Sequence, residues 1–151
     1  MSISPKTESR TFAFQFLYHV ISQDLTINEE NLETSLDEFI DSIGTPDIEI
    51  GDSNYSLESV SSARGMISEF LVQKEDVREK VFSCLHLKNW ERLTAVEKTL
   101  INLGSFEILN SKKKAGLGII NDFVELAKKF GGPESYSLVN GVLDSVRKTN
   151  I

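Results

Sequence analysis

Two cations, an amide and an aromatic ring stand close together near the start of the chain: Lys6, Arg10, Gln15 and Tyr18. Positions 10, 14 and 18 fall on one helix face at the four-residue spacing that brings side chains together. Such a face suits single-stranded RNA, with the cations on phosphates and Tyr18 stacking on a base or hydrogen-bonding to it. Lys112, Lys113 and Lys114 precede a later helical stretch and Lys128 and Lys129 end it, which offers a second phosphate-contacting edge. Runs of this kind also read as plain solvated faces. Catalysis has no comparable support. His19, His86 and the lone Cys84 are too few and too scattered for a closed zinc site, and a single cysteine cannot form an internal disulfide. The chain has no Gly-x-Ser-x-Gly elbow, no phosphate loop and no dinucleotide fingerprint, and Gly116 with Gly118 is too short a pattern to count. The expectation is a non-enzymatic protein without metal or cofactor.

Charge is spread unevenly along the chain. Residues 21–60 hold eleven acids and no Lys or Arg, a charge of −11 against −7 for the whole chain, which leaves +4 on the remainder. The total lacks the basic footprint usual in nucleic-acid binders, yet the sign reverses outside the acidic segment. Acids interleaved with apolar positions read as a solvated helix face rather than a cation site. At 151 residues, with 40% apolar and 26% charged residues, the chain has the proportions of one globular domain. A domain of that size removes about 70% of its unfolded surface from water. No apolar run approaches the roughly 20 residues needed to cross a bilayer, and residues 1–10 lack the apolar stretch of a signal peptide, so a cytoplasmic protein is expected.

The elements that must position these residues read as helices nearly throughout, with no sustained period-two alternation. Residues 6–22 place Phe12, Phe16, Leu17, Val20 and Ile21 on one face. Thr26 and Glu29 have capping-box spacing ahead of a second stripe (Leu32, Leu36, Phe39, Ile40, Ile43), which Gly44 and Pro46 end. Residues 44–55 read as an exposed loop. Val60, Ala63, Ile67, Phe70 and Leu71 mark a third helix, and Val77, Val81, Cys84 and Leu85 a short fourth. Thr94 with Glu97 repeats the capping-box spacing and starts a fifth, running to Leu109. Gly116 and Gly118 read as a turn before a sixth helix ending at Phe130, with Gly131 and Gly132 at a left-handed stop. Pro133 opens the seventh, which carries Val139, Val142, Leu143 and Val146. The expected fold is all-α: about seven helices in two packed three-helix-type bundles, the first about 6–72 and the second about 76–148, within one domain spanning 1–151.

Four segments in order carry a family resemblance. They are Ala13-Phe14-Gln15-Phe16-Leu17-Tyr18; Val96-Glu97-Lys98 leading to Leu103-Gly104-Ser105-Phe106-Glu107-Ile108-Leu109; Ile120-Asn121-Asp122-Phe123-Val124-Glu125-Leu126-Ala127-Lys128-Lys129-Phe130-Gly131; and Leu138-Val139-Asn140-Gly141-Val142-Leu143-Asp144. Together they resemble the bacterial transcription antitermination factor family NusB over nearly the whole chain, and the last two segments are the most specific. The resemblance implies a non-enzymatic factor that pairs with the small-subunit ribosomal protein NusE and binds boxA RNA of nascent ribosomal RNA. In the RNA polymerase antitermination complex it would support readthrough of terminators and ribosomal RNA maturation. Carried over position by position, it places RNA contacts on Lys6, Arg10, Gln15 and Tyr18, and on Asn121, Lys128, Lys129 and Phe130. It places partner-protein contacts on Glu91, Glu97 and Phe106. Members of the family commonly open with a dense run of arginines, where this chain has only Lys6 and Arg10. That difference keeps a second reading open, a protein-interaction module of the transcription or ribosome-assembly machinery with weak or lost RNA binding. Some ribosomal RNA cytosine methyltransferases begin with a similar helical domain, but the 151 residues here leave no room for a separate catalytic domain.

Overall fold

The computed structural model describes residues 4–43, 55–85 and 87–149, and among them it is helical with no strand. The helices are α1 (Pro5–Ser22), α2 (Leu32–Ile43), α3 (Leu57–Cys84), α4 (Leu87–Glu91), α5 (Ala95–Leu109), α6 (Gly116–Phe130) and α7 (Ser135–Thr149), with a 3-10 turn at Lys113–Ala115. The chain divides into two compact units, Met1–Leu71 and Val72–Ile151. The expected loop at 44–55 lies, but for Tyr55, outside the described residues, as does His86.

In the first unit, α1 starts at Ser4, whose hydroxyl accepts from the Thr7 amide at 3.1 Å, and Pro5 takes the first helical position, where an amide hydrogen has no use. Burial extends around the whole helix, from Ser9 to Leu17 without a break. A helix buried on every side is central to its surroundings rather than amphipathic. Phe39 of α2 meets Phe12 and Phe16 edge-on, with ring centroids 5.7 and 5.5 Å apart. His19 leans on the same Phe39 ring at 5.4 Å. The end of α1 is a Schellman stop: Leu25 N–H donates to the Val20 carbonyl at 2.9 Å, Asp24 N–H to that of Ile21 at 3.2 Å, and Asp24 is left-handed with φ 51°.

In the second unit, α5, α6 and α7 pack on one another around Phe123, Leu103, Leu143 and Val139, all fully buried. The Thr94 capping box forms as its spacing predicts: the Thr94 hydroxyl accepts from Glu97 N–H at 3.2 Å, and the Glu97 carboxylate accepts from Thr94 N–H at 2.9 Å. Gln73 and Asn110 exchange two side-chain amide hydrogen bonds, at 2.7 and 3.1 Å, and so tie the second part of α3 to the end of α5.

Four local expectations are corrected. The third and fourth helices are one helix, α3, because Ala63, Ile67, Phe70, Val77 and Val81 are positions of one continuous stripe, interrupted only by Lys74. The seventh helix in the count is instead the short α4. Thr26 and Glu29 do not cap α2, which begins at Leu32. Asn28 and Asn31 take over that turn: Asn28 Oδ1 accepts from the amides of Glu30 and Asn31 at 2.9 Å, and Asn31 Oδ1 from that of Asn28 at 2.8 Å. Gly116 and Gly118 lie in the first turn of α6, with Gly116 buried under the Arg147 side chain. Gly131 ends α6 in an extended conformation (φ −97°, ψ −179°), not a left-handed one. Its missing side chain is a matter of room, since a Cβ there would sit 2.7 Å from both the Ala127 carbonyl oxygen and Ser135 Cβ.

Candidate nucleic-acid interface

On α1 the four residues expected to contact RNA separate into two kinds. Lys6 and Tyr18 are exposed, whereas Arg10 and Gln15 are each only 8% exposed. Gln15 is turned inward, where the Tyr55 hydroxyl donates to its side-chain carbonyl. Tyr55 in turn packs edge-on against Phe12 at 5.2 Å. The 10, 14, 18 face therefore presents one aromatic ring. Phe14, fully buried, stacks under Tyr18 with centroids 5.9 Å apart and planes 24° from parallel. That support orients Tyr18 while its own outer surface remains open for a base to stack on.

The α6 set is more accessible. Asn121, Lys128 and Lys129 are exposed and Phe130 is half-buried. Lys128 is held by Glu125 at 3.3 Å one turn earlier and lies over the Tyr136 ring at 5.4 Å, and Lys129 lies over the Phe130 ring at 5.3 Å. Each pair sets a positive charge on an aromatic face, the combination that serves a phosphate and a base together. Tyr136, 43% exposed on the first turn of α7, belongs to this patch and was not among the expected residues. Its signal in the sequence is slight, an aromatic three residues past Pro133, which lies in the turn before α7 and not, as expected, at the start of that helix. Lys112, Lys113 and Lys114 are exposed on the turn before α6.

Of the three residues expected to face a partner protein, Glu91 is exposed at the end of α4. Glu97 and Phe106 are buried, at 9% and 3% exposure. The second carboxylate oxygen of Glu97 accepts from the Ser135 hydroxyl at 2.8 Å, and Ser135 Oγ accepts from Gly132 N–H at 3.2 Å. These bonds join the start of α5 to the joint between α6 and α7. Phe106 is packed in the core, whereas Phe130 is only half-buried.

Among the described residues no group of three His, Cys, Asp or Glu side chains could hold a metal ion, and no helix is long and apolar enough to cross a membrane. The chain falls within the class of small all-α proteins built of two helical units, with cation and aromatic pairs on its surface. The NusB family model matches residues 7–148. The chain belongs to the NusB family of transcription antitermination factors. It is 31% identical over 145 residues to the transcription antitermination protein NusB of Macrococcus caseolyticus, covering 95% of this chain and 96% of that one. The NusB proteins of Methylacidiphilum infernorum and Dechloromonas aromatica are 43% and 40% identical over 84 and 87 residues, 54% and 58% of this chain. Those two matches span 57% and 50% of the relatives, so about half of their length. A solved structure of T. maritima NusB shares the fold, with TM-score 0.70 and 21% identity over 98% of this chain and 93% of that one.

Proposed function

We propose that this chain acts, without catalysis and in the cytoplasm, as an antitermination factor. In this reading it binds boxA RNA of nascent ribosomal RNA together with the ribosomal protein NusE, and joins the RNA polymerase antitermination complex to support terminator readthrough and ribosomal RNA maturation. Family membership supports the reading. The observation that carries it is the α6 patch, where Lys128 over Tyr136 and Lys129 over Phe130 set exposed cations on aromatic rings, on the helix that also carries exposed Asn121. On α1 the contacts are Lys6 and the supported Tyr18, while buried Arg10 and Gln15 hold the helix that carries them. Glu91 is the partner contact; Glu97 and Phe106 act on the partner surface through the packing of α5.

The burial of Arg10 favours a second reading, a protein-interaction module with weak or lost RNA binding, because it thins an already sparse basic start. Fluorescence anisotropy with boxA RNA and a scrambled control, with and without NusE at near-physiological salt, separates the two. A sequence-preferring gain on adding NusE, reduced by Tyr18→Ala and Lys129→Ala, is expected. Partner binding with no such gain replaces the first reading with the second.

A further inference from the structure

A cleft in the second unit, lined by none of the proposed RNA contacts and reaching Trp90 next to Glu91, has the chemistry of a ligand site. It encloses about 290 Å³ and is lined by Lys74, Arg78, Val81 and Phe82 of α3, Trp90 of α4 and Asn102 of α5. No Asp or Glu is among the described residues that line it. Its two rings meet edge-on, Phe82 and Trp90 having centroids 5.8 Å apart at 78°. The Arg78 guanidinium lies over the Phe82 ring at 5.2 Å and Lys98 Nζ over the Trp90 ring at 5.9 Å. Two cations, two aromatic rings and an amide therefore line one opening, with a third cation, Lys98, over the Trp90 ring.

Neither helix stability nor core packing accounts for this arrangement. Lys74 and Arg78 are like charges four residues apart on one helix, a spacing that works against the helix. Lys74 is in register with the stripe between Phe70 and Val77, yet it is exposed there and lines the cleft. Glu75 and Glu79, which follow each of these cations by one residue, are exposed and do not line the cleft. Among the described residues Lys74, Arg78 and Lys98 form no ion pair, so their charge is available to a ligand.

We infer that this cleft binds a nucleotide unit, the phosphate on Lys74 and Arg78 and the base against Phe82 and Trp90 with its edge hydrogen-bonded by Asn102. A guanidinium and an ammonium suit a phosphate, an amide both donates to and accepts from a base edge, and rings favour a planar π-system over a bare carboxylate. The volume admits one such unit. The site does not depend on the α1 and α6 patches, and it serves equally a free nucleotide or one residue of an RNA strand.

Trp90 is the chain's single tryptophan, so its fluorescence reports on the cleft directly. The full chain is titrated with a nucleoside monophosphate, a uridine hexamer and an oligo-glutamate peptide, with free tryptophan in parallel to correct for absorption. Saturable quenching by a nucleotide ligand is expected, with the midpoint weakened about tenfold by Arg78→Ala, as for loss of one charge-assisted contact. Lys74→Ala, at a side chain with no hydrogen bond or ion pair among the described residues, should weaken it too, while Lys129→Ala leaves it unchanged even if boxA binding is lost. A response to the monophosphate assigns the site to free nucleotides, and a response to the hexamer alone assigns it to a strand. No quenching by either, an unchanged midpoint in both cleft variants, or an equal response to the peptide overturns the inference.

Discussion

Glu97 accepts one hydrogen bond from the start of its own helix and another from Ser135, thirty-eight residues further on. Replacing it with Ala removes the reciprocal half of the capping box and leaves the buried Ser135 hydroxyl without its acceptor. A loss of about 1–3 kcal/mol in urea unfolding is expected, with less for Glu97→Gln, which keeps a carbonyl acceptor. Ser135→Ala combined with Glu97→Ala should lose less than the two singly, because both break the same bond. Asp144 offers a pH-dependent counterpart. Hydrogen bonds from Arg147 and then Lys148 hold its carboxyl below the ordinary carboxylate range. A carboxyl lowered in the folded state contributes stability above its unfolded pKa of about 3.9, and loses it as pH falls through the lower folded value. The difference in unfolding midpoint between the protein and Asp144→Asn should therefore be constant near neutral pH and shrink below about pH 4. A difference that persists unchanged into strong acid would show that the carboxylate charge is not its source.

Close packing of helices constrains the elements more than propensity does. At Gly104 of α5 an added Cβ would lie 2.7 and 2.9 Å from the two methyl carbons of Leu143, which is fully buried in α7. Gly104→Val should therefore cost about 1–3 kcal/mol, as overpacking does. Gly65 has nothing within 4 Å of its would-be Cβ and sits inside α3. Gly65→Ala should stabilise by about 0.5–1 kcal/mol, the helix preference of alanine acting unopposed. Thermal melts of both variants check the pair, and opposite signs are the expected result. The continuity of α3 follows similar reasoning. A charged residue at one stripe position reads as a break, but a helix continues through it when the backbone bonds are kept and the side chain reaches an open cleft, as Lys74 does.

For the molecule as a whole, the exposed cations among the proposed RNA contacts are Lys6, Lys128 and Lys129. Neutralising about three phosphates gives a slope near −2 for log affinity against log salt on a single strand, so a fourfold rise in salt should weaken binding about 20-fold. Anisotropy over a salt series measures this, and a much steeper slope would mean that further cations take part. Such binding is weak alone, in keeping with a proposed dependence on NusE. The acidic α2 segment carries its charge partly balanced, since Arg64 of α3 pairs with Glu33 and lies 3.8 Å from Asp37. What the sequence alone determined here is what short-range spacing encodes. The helical class, the apolar stripes, the Thr94 capping box and the basic and aromatic residues on α1 and α6 all rest on partners within about one helical turn. Tertiary structure decided which of those side chains face water. Arg10 and Gln15 share a helix with Lys6 and Tyr18, and no local pattern says that burial closes around the first two, because it depends on elements far along the chain such as Tyr55. The tie from Glu97 to Ser135, the tight approach at Gly131 and the cleft at Trp90 are likewise invisible to spacing, since each exists only where distant helices converge.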